Sequence, residues 1–241
     1  MNSNDLEQHI AGIASLAEPQ RRALYRFIVA RGGAVSKDEA AAAIGVARSV
    51  ATFHLDRLVA DGLLITEFRR LTGRQGRGAG RPAKLYRRAE GELSVSLPTR
   101  QYDLAAGLLA TAVNDATHTG TPVGEALTRV ATERGRELGE QARERAGKRP
   151  SHRSRVDAAL AVLADQGYEP RAHGSEVLLA NCPFHALVDE QRDLVCGMNL
   201  DLLCGLADAV GDDDLTARLA PSEGNCCVRL DTRRRAKKDQ R

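Results

Sequence analysis

From Glu18 onward the apolar positions recur first at helical and then at strand spacing. EPQRRALYRFIVARGG places Leu24, Phe27 and Ile28 on one side, opens at Glu18-Pro19 and stops at Gly32-Gly33. Proline near the first position and glycine past the last predict a helix between them. In SKDEAAAAIG, Ser36 with Glu39 three residues on is a capping-box pattern, and Gly45 marks the turn that follows. VARSVATFHLDRLVADG repeats Ala47, Val50, Ala51, Leu55 and Leu58 at helical spacing, which predicts one buried stripe closed by Gly62. LLITEF and AKLYRR are short and rich in β-formers, and predict two strands around a loop. Residues 1–17 read as a flexible leader with at most the short helix LEQHIAGIASL.

Beyond the Gly- and Pro-bearing connection GELSVSLP (91–98) the pattern is helical again. TRQYDLAAGLLATAVNDA carries Leu104, Leu108, Leu109 and Ala112 on one face, and the Pro122-led stretch that follows is dense in Glu and Arg. Residues 91–150 therefore read as a linker and helical dimerisation region, the charges forming a solvated face or a subunit interface. HRSRVDAALAVLADQG predicts a third helix, stopped by Gly167. YEPRAHGSEVLLANC predicts a hairpin turning at His173-Gly174, and the remainder reads as helix, helix, strand, strand. Residues 151–231 are thus expected to be a small α+β domain that holds all five cysteines, and 232–241 a basic disordered tail.

Charge changes the picture in one place. Between Arg69 and Arg88 stand Arg69, Arg70, Arg74, Arg77, Arg81, Lys84, Arg87 and Arg88, with no acid among them and glycines at 73, 76, 78 and 80. The formal net charge is +3; without those eight residues it would be −5. Positive potential concentrated in this way suits a docking surface for a polyanion. Two helices, a strand, a basic glycine-broken loop and a returning strand predict a winged helix–turn–helix, residues 18–90, that binds double-stranded DNA. With 3% aromatic residues and no Trp, stacking platforms for single strands or RNA are poorly supplied. No apolar run reaches the ~20 residues of a membrane span, and MNSNDLEQHI is too polar for a signal peptide. A cytoplasmic protein with no membrane partner is the expectation.

On the expected recognition helix the buried stripe leaves Arg48, Ser49, Thr52, Phe53, Asp56 and Arg57 outward. Arg48, Ser49 and Thr52 lie near the N-terminal end that enters a major groove. Arg pairs bidentately with guanine, and Thr or Phe touches a thymine methyl. Arg57 is placed to meet phosphate. Arg69, Arg70, Arg74, Arg77, Arg81 and Lys84 of the wing would follow the backbone or enter the minor groove. His54, at the edge of the stripe, reads as a packing residue.

ARSVATFHLDRLVADGLL followed by GRGAGRPAKLYRR resembles the ArsR-type winged-helix repressors, in particular the branch that includes the SufR group, where RPAKLY at the second wing strand is frequent. That resemblance implies a homodimeric repressor on an inverted repeat, one recognition helix per half-site.

Cys182, Cys196, Cys204, Cys226 and Cys227 all lie in the last quarter of the chain, with no CxxC among them. In a cytoplasmic protein they are expected to be free, metal-bound or redox-active, not structural staples. If hairpin, helix and final strand pack together, Cys182, Cys196 and the 226–227 pair converge, and convergent thiolates suit an iron–sulfur cluster or, alternatively, zinc. In the SufR group three cysteines hold an iron–sulfur cluster that controls DNA binding. The resemblance implies Cys182, Cys196 and one of Cys226 or Cys227 here, with His185 or the spare cysteine as a fourth ligand. Cys204, among leucines, reads as core. Buried, inert thiols are the competing reading.

The expected function is thus a DNA-binding transcriptional repressor whose C-terminal cysteines sense iron–sulfur or redox status. The alternative keeps the DNA-binding architecture but responds to a small organic effector, with structural cysteines. An enzyme is not expected: Cys182 and His185 could be a nucleophile pair only with an orienting third group, which the sequence does not supply.

Overall fold

The structure, a computed structural model, describes residues 3–70, 82–211 and 215–232. It is mixed α and β, divided into two units, residues 1–95 and 96–241, each with its own small antiparallel sheet. Among the described residues no helix is long and apolar enough to cross a membrane.

In the first unit, the short helix expected within the leader is present as α1 (Ser3–Ser15). Its anchors are far away in sequence, which is why no local pattern shows them. His9 Nδ1 lies 2.8 Å from the Ser94 carbonyl oxygen, and a Cβ on Gly12 would stand 3.1 Å from the Asp61 carbonyl oxygen. Helix α2 (Pro19–Arg31) starts where the Glu18 carboxylate accepts the N–H groups of Gln20 and Arg21, and ends at Gly32 with φ +65°. A two-residue strand β1 (Val35–Ser36), too short to show a period, leads into α3 (Lys37–Ile44). Ser36 Oγ accepts the Glu39 N–H at 3.1 Å, while the Glu39 carboxylate pairs with Arg31.

Helix α4 (Arg48–Ala60) buries Ala51, His54, Leu55 and Leu58. The stripe is narrower than its spacing predicts: Ala47 is the exposed N-cap residue and Val50 is half-buried. Its C-terminus closes as a Schellman motif, with Gly62 N–H on the Val59 carbonyl, Leu63 N–H on the Leu58 carbonyl, and Gly62 at φ +77°. Strands β2 (Leu64–Arg69) and β3 (Ala83–Arg88) pair antiparallel from Leu64↔Arg88 to Arg69↔Ala83, and β1 joins the other edge of β3. Leu24, Ile28, Leu55, Leu58, Leu64 and Tyr86 form the centre of the core, each buried leucine or isoleucine contributing about 1.5–3 kcal/mol before entropy.

The second unit comprises α5 (Tyr102–Thr119), α6 (Val123–Ala146), α7 (His152–Asp165), β4 (Pro170–His173), β5 (Glu176–Leu179), α8 (His185–Val210), β6 (Thr216–Leu219) and β7 (Val228–Asp231). The sheet order is β4-β5-β7-β6, all antiparallel. Sequence pattern suggests a helical region to residue 150 and a separate domain after it; instead a single core runs through α5–α8 and the sheet. Three glycines let α6 and α8 approach within backbone contact: a Cβ on Gly135 would lie 1.9 Å from Leu202 O, on Gly139 2.5 Å from Leu206 O, and on Gly205 2.1 Å from Thr132 O. The charges of α6 serve in part to tie helices together, Arg129 to Asp115 of α5 and Arg145 to Asp165 of α7. The two helices expected across residues 182–210 are both present within α8, where the backbone leaves helical geometry at Gln191 (φ −132°, ψ 52°) between them.

Candidate functional site

Helix α4 and the β2–β3 hairpin carry the basic residues expected to meet DNA. Packing of Ala51, Leu55 and Leu58 inward turns Arg48, Ser49, Phe53 and Arg57 to solvent, with Thr52 half-exposed; Phe53 is 67% accessible although it is one of the larger apolar side chains. Several of these groups are held by acids the sequence pattern does not single out. Arg48 Nε lies 2.9 Å from Asp38 Oδ1, and Arg57 Nε 2.9 Å from the buried Asp61. Lys84 Nζ is 2.7 Å and Tyr86 Oη 2.8 Å from Asp56 Oδ1, which joins α4 to β3. Burial opposes ionisation of Asp56, but hydrogen bonds from Lys84 and Tyr86 offset it and hold the carboxyl below its ordinary range. Tyr86, desolvated and donating to that carboxylate, is raised above the usual phenol range. Thr52 Oγ1 donates to the Arg48 carbonyl at 2.8 Å, so its hydroxyl hydrogen is used within the helix. Arg69 pairs with Glu67, and Arg70 is exposed. Arg74, Arg77 and Arg81 lie outside the described residues. His54 is buried, with Nδ1 3.7 Å from Glu18 Oε2.

The cysteine set is brought together by three elements: the loop before α8, α8 itself, and the entry to β7. Cys182, His185, Cys226 and Cys227 line one cavity of about 370 Å³, along with Val188, Asp189, Arg192 and residues 221–225. Cys196, on α8, is disulfide-bonded to Cys227, their Cα atoms 6.4 Å apart, inside the usual range for a bridge. A staple is thus found where free, metal-bound or redox-active cysteines are expected, because α8 and the entry to β7 meet 31 residues apart in sequence. Cys182 and Cys226 are free and hydrogen-bonded to each other. Cys226 donates to the Cys182 sulfur, which also receives the Phe184 N–H at the start of α8 and the field of Arg100; together these hold the Cys182 thiol well below its ordinary value, against the effect of burial. The same bond and burial push Cys226 up. Cys204 is half-buried and faces β6, its sulfur 4.0 Å from the Ala217 carbonyl oxygen. Burial, then Asp208 and Asp201, raise its thiol.

A polar chain runs behind the pair. Tyr168, fully buried, donates to Asn199 Oδ1 at 2.5 Å, and Asn199 Nδ2 lies 3.2 Å from Cys226 Sγ. In front, the Arg100 guanidinium donates to the Cys182 carbonyl at 2.8 Å and to Asn181 Oδ1. Asn181 Nδ2 donates to the Thr99 and Gly167 carbonyls, and Gln101 N–H to the Pro183 carbonyl. Residues 99–101, the start of the second unit, are therefore fastened to the Cys182 loop. Sequence reading missed Arg100, Asn181 and Asn199, since their partners are 14 to 82 residues away and no local spacing marks them.

Among the described residues, no three or more His, Cys, Asp or Glu side chains are arranged to hold a metal ion. With Cys196 and Cys227 joined, two free thiols remain at the cavity beside His185 and Asp189. Reduced, the bond would return two more sulfurs to the same place, a soft donor set suited to a cluster or to zinc. No protein-family model, curated protein or solved structure matches the chain.

Proposed function

We propose that the protein is a DNA-binding transcriptional repressor, a homodimer that docks on an inverted repeat of duplex DNA, with C-terminal cysteines that sense iron–sulfur or redox status. The observation that carries the DNA-binding part is α4. It follows α3 across the Gly45 turn, buries one stripe, and presents Arg48, Ser49, Phe53 and Arg57 outward beside an antiparallel hairpin whose connection is rich in arginine. A winged helix–turn–helix reads the major groove with such a helix and the flanking backbone with such a wing. Selection from a random duplex pool, followed by titration at several salt concentrations, tests it. An enriched sequence with two symmetric half-sites about one DNA turn apart is expected. Equal affinity for enriched and random duplexes would reject the reading.

For the sensing part, the support is that Cys182, Cys226 and Cys227 share a cavity, with Cys196 one bond away. When reduced, these thiolates would hold an iron–sulfur cluster, which supplies a redox- and oxygen-sensitive state; zinc is the alternative occupant. Anaerobic purification with iron, sulfide and zinc assays separates these cases. A second reading, an organic effector, is favoured by a cavity of about 750 Å³ lined by Glu140, Arg143, Glu144, Arg149 and Arg155, a size that suits a small molecule. Metal-free protein whose DNA affinity responds only to an organic ligand would establish it.

A further inference from the structure

The outward face of α6 carries charges in strict alternation. Glu125, Arg129, Glu133, Arg136, Glu140 and Arg143 follow one another at steps of three or four residues, and all six are exposed. Such steps place them in a single stripe along the helix. At a rise of about 1.5 Å per residue the stripe runs for about 27 Å. The opposite face of α6 is held against α8 by the close backbone approaches at Gly135 and Gly139, which fixes the helix axis and with it the spacing of the charges.

Neighbours of opposite sign on one helix can pair with each other. Here none does. Arg129 reaches instead to Asp115 of α5, 2.9 Å away. The side chains of Glu125, Glu133, Arg136, Glu140 and Arg143 enter no ion pair or hydrogen bond among the described residues. The other two arginines of α6 are committed elsewhere, Arg134 to Glu137 and Arg145 to Asp165.

The order of signs has a symmetry. From one end the stripe begins with an acid, and from the other with a base. A second copy laid antiparallel therefore sets Glu125 against Arg143, Arg129 against Glu140, and Glu133 against Arg136. All three pairs are centred at residues 134–135, so one position of a two-fold axis satisfies them together, and the axis repeats each pair. A parallel two-fold arrangement would set every charge against its own like. Half acid and half base, the stripe offers no net field to DNA or to a uniformly charged partner; the surface it matches is its own reversed copy.

We propose that the outward stripe of α6 is the surface on which two copies of the chain pair, antiparallel about a two-fold axis, through three reciprocal acid–arginine contacts. This rests on the homodimer reading and names the surface that reading leaves open. Exposed ion pairs add little affinity one at a time and are screened by salt. Repeated along a fixed helix they set orientation and register, and they make the association salt-sensitive. Glu140 and Arg143 also line the cavity of about 750 Å³, so Glu133 and Arg136, nearest the axis, are the residues to change.

Sedimentation of the full chain without DNA, in sodium chloride from about 0.05 to about 0.5 M, tests the contact. The wild-type dimer dissociation constant should rise on the order of tenfold or more across that range. Glu133→Arg and Arg136→Glu each turn the central contacts into repulsions, and each should weaken self-association on the order of tenfold or more at the lower salt. Mixed in equal amounts, the two variants should pair with each other about as the wild type pairs with itself, since one offers Arg at both positions and the other Glu at both. Pairing within a single helix does not produce that recovery. Circular dichroism establishes that both variants are folded, and the wild-type salt series decides even where one is not. A salt-insensitive dimer, folded variants that dimerise as the wild type does, or a mixture no tighter than either variant alone would each overturn the α6 contact and leave the homodimer reading standing. A wild type monomeric at the lower salt would overturn the contact as well; two copies on the selected duplex would then be brought together by DNA.

Discussion

The Leu202 carbonyl oxygen of α8 stands where a side chain on Gly135 of α6 would have to go, only 1.9 Å from the position of its Cβ. The obstacle is backbone, so no rotamer change relieves it. Gly135→Ala should destabilise the second unit by roughly 3 kcal/mol or more, despite alanine's better helix propensity. Gly197, on the same α8 with nothing near its Cβ position, supplies the opposite sign: Gly197→Ala should gain up to about 1 kcal/mol. Denaturant midpoints of the two variants check both, and equal shifts would contradict the close approach.

Arg48 leads the exposed face of α4, and Asp38 holds its guanidinium at 2.9 Å. Arg48→Ala should cost roughly 1–3 kcal/mol at the selected duplex and relax discrimination at one base pair. Removing Arg69 and Arg70 together should instead weaken all sequences alike and lower the salt slope by about two. Fluorescence anisotropy on matched and mismatched duplexes distinguishes the two patterns.

Asp56 joins α4 to β3 through Lys84 and Tyr86. Its carboxyl is depressed in the folded chain, so its contribution is full above the ordinary value of 3.8 and is lost as pH falls through the lower folded value. Asp56→Asn should cost roughly 0.5–1.5 kcal/mol at neutral pH. Under acid the gap to wild type should close, which urea unfolding at a series of pH values would record.

The three free thiols should alkylate in a fixed order. Cys182 is lowered by the Cys226 hydrogen bond, the Phe184 N–H and Arg100; Cys204 is raised by burial and two aspartates; Cys226 is raised and hidden. Iodoacetamide should therefore take Cys182 first, with a pH midpoint below that of Cys204, and Cys226 last. Arg100→Leu should move the Cys182 midpoint upward. Peptide mapping across pH 6–9 gives the order, and Cys204 reacting first would reject it.

The helices and strands of the first unit were legible because caps and glycines punctuate them: Glu18-Pro19, Ser36, Gly45 and Gly62 all fall at element ends. Helix α1 was legible only as a short helix in a leader, since its anchors lie at Ser94 and Asp61, and strand β1 was not, because two residues show no period. Clustering of cysteines flagged the right neighbourhood, and Cys182, His185, Cys226 and Cys227 do meet there. Which sulfur faces which was not legible: it depends on how α8 lies against β7, and Cys226 and Cys227, adjacent in sequence, point to different partners. The unity of the second unit was hidden for a related reason. Gly135, Gly139 and Gly205 look like weak points of helices until the facing backbone is known.

The break in α8 at Gln191 stands between the Cys182 loop and Cys196 in the chain. Past it, Cys196 belongs to the stretch whose Gly205 and Leu202 are wedged against α6, so that sulfur is as fixed as the seam itself. Before it, the short piece from His185 to Glu190 follows the Cys182 loop, which is held instead by hydrogen bonds to Arg100 and Gln101. The two sulfurs therefore answer to different neighbours, Cys196 to the α6 seam and Cys182 to the strap of residues 99–101.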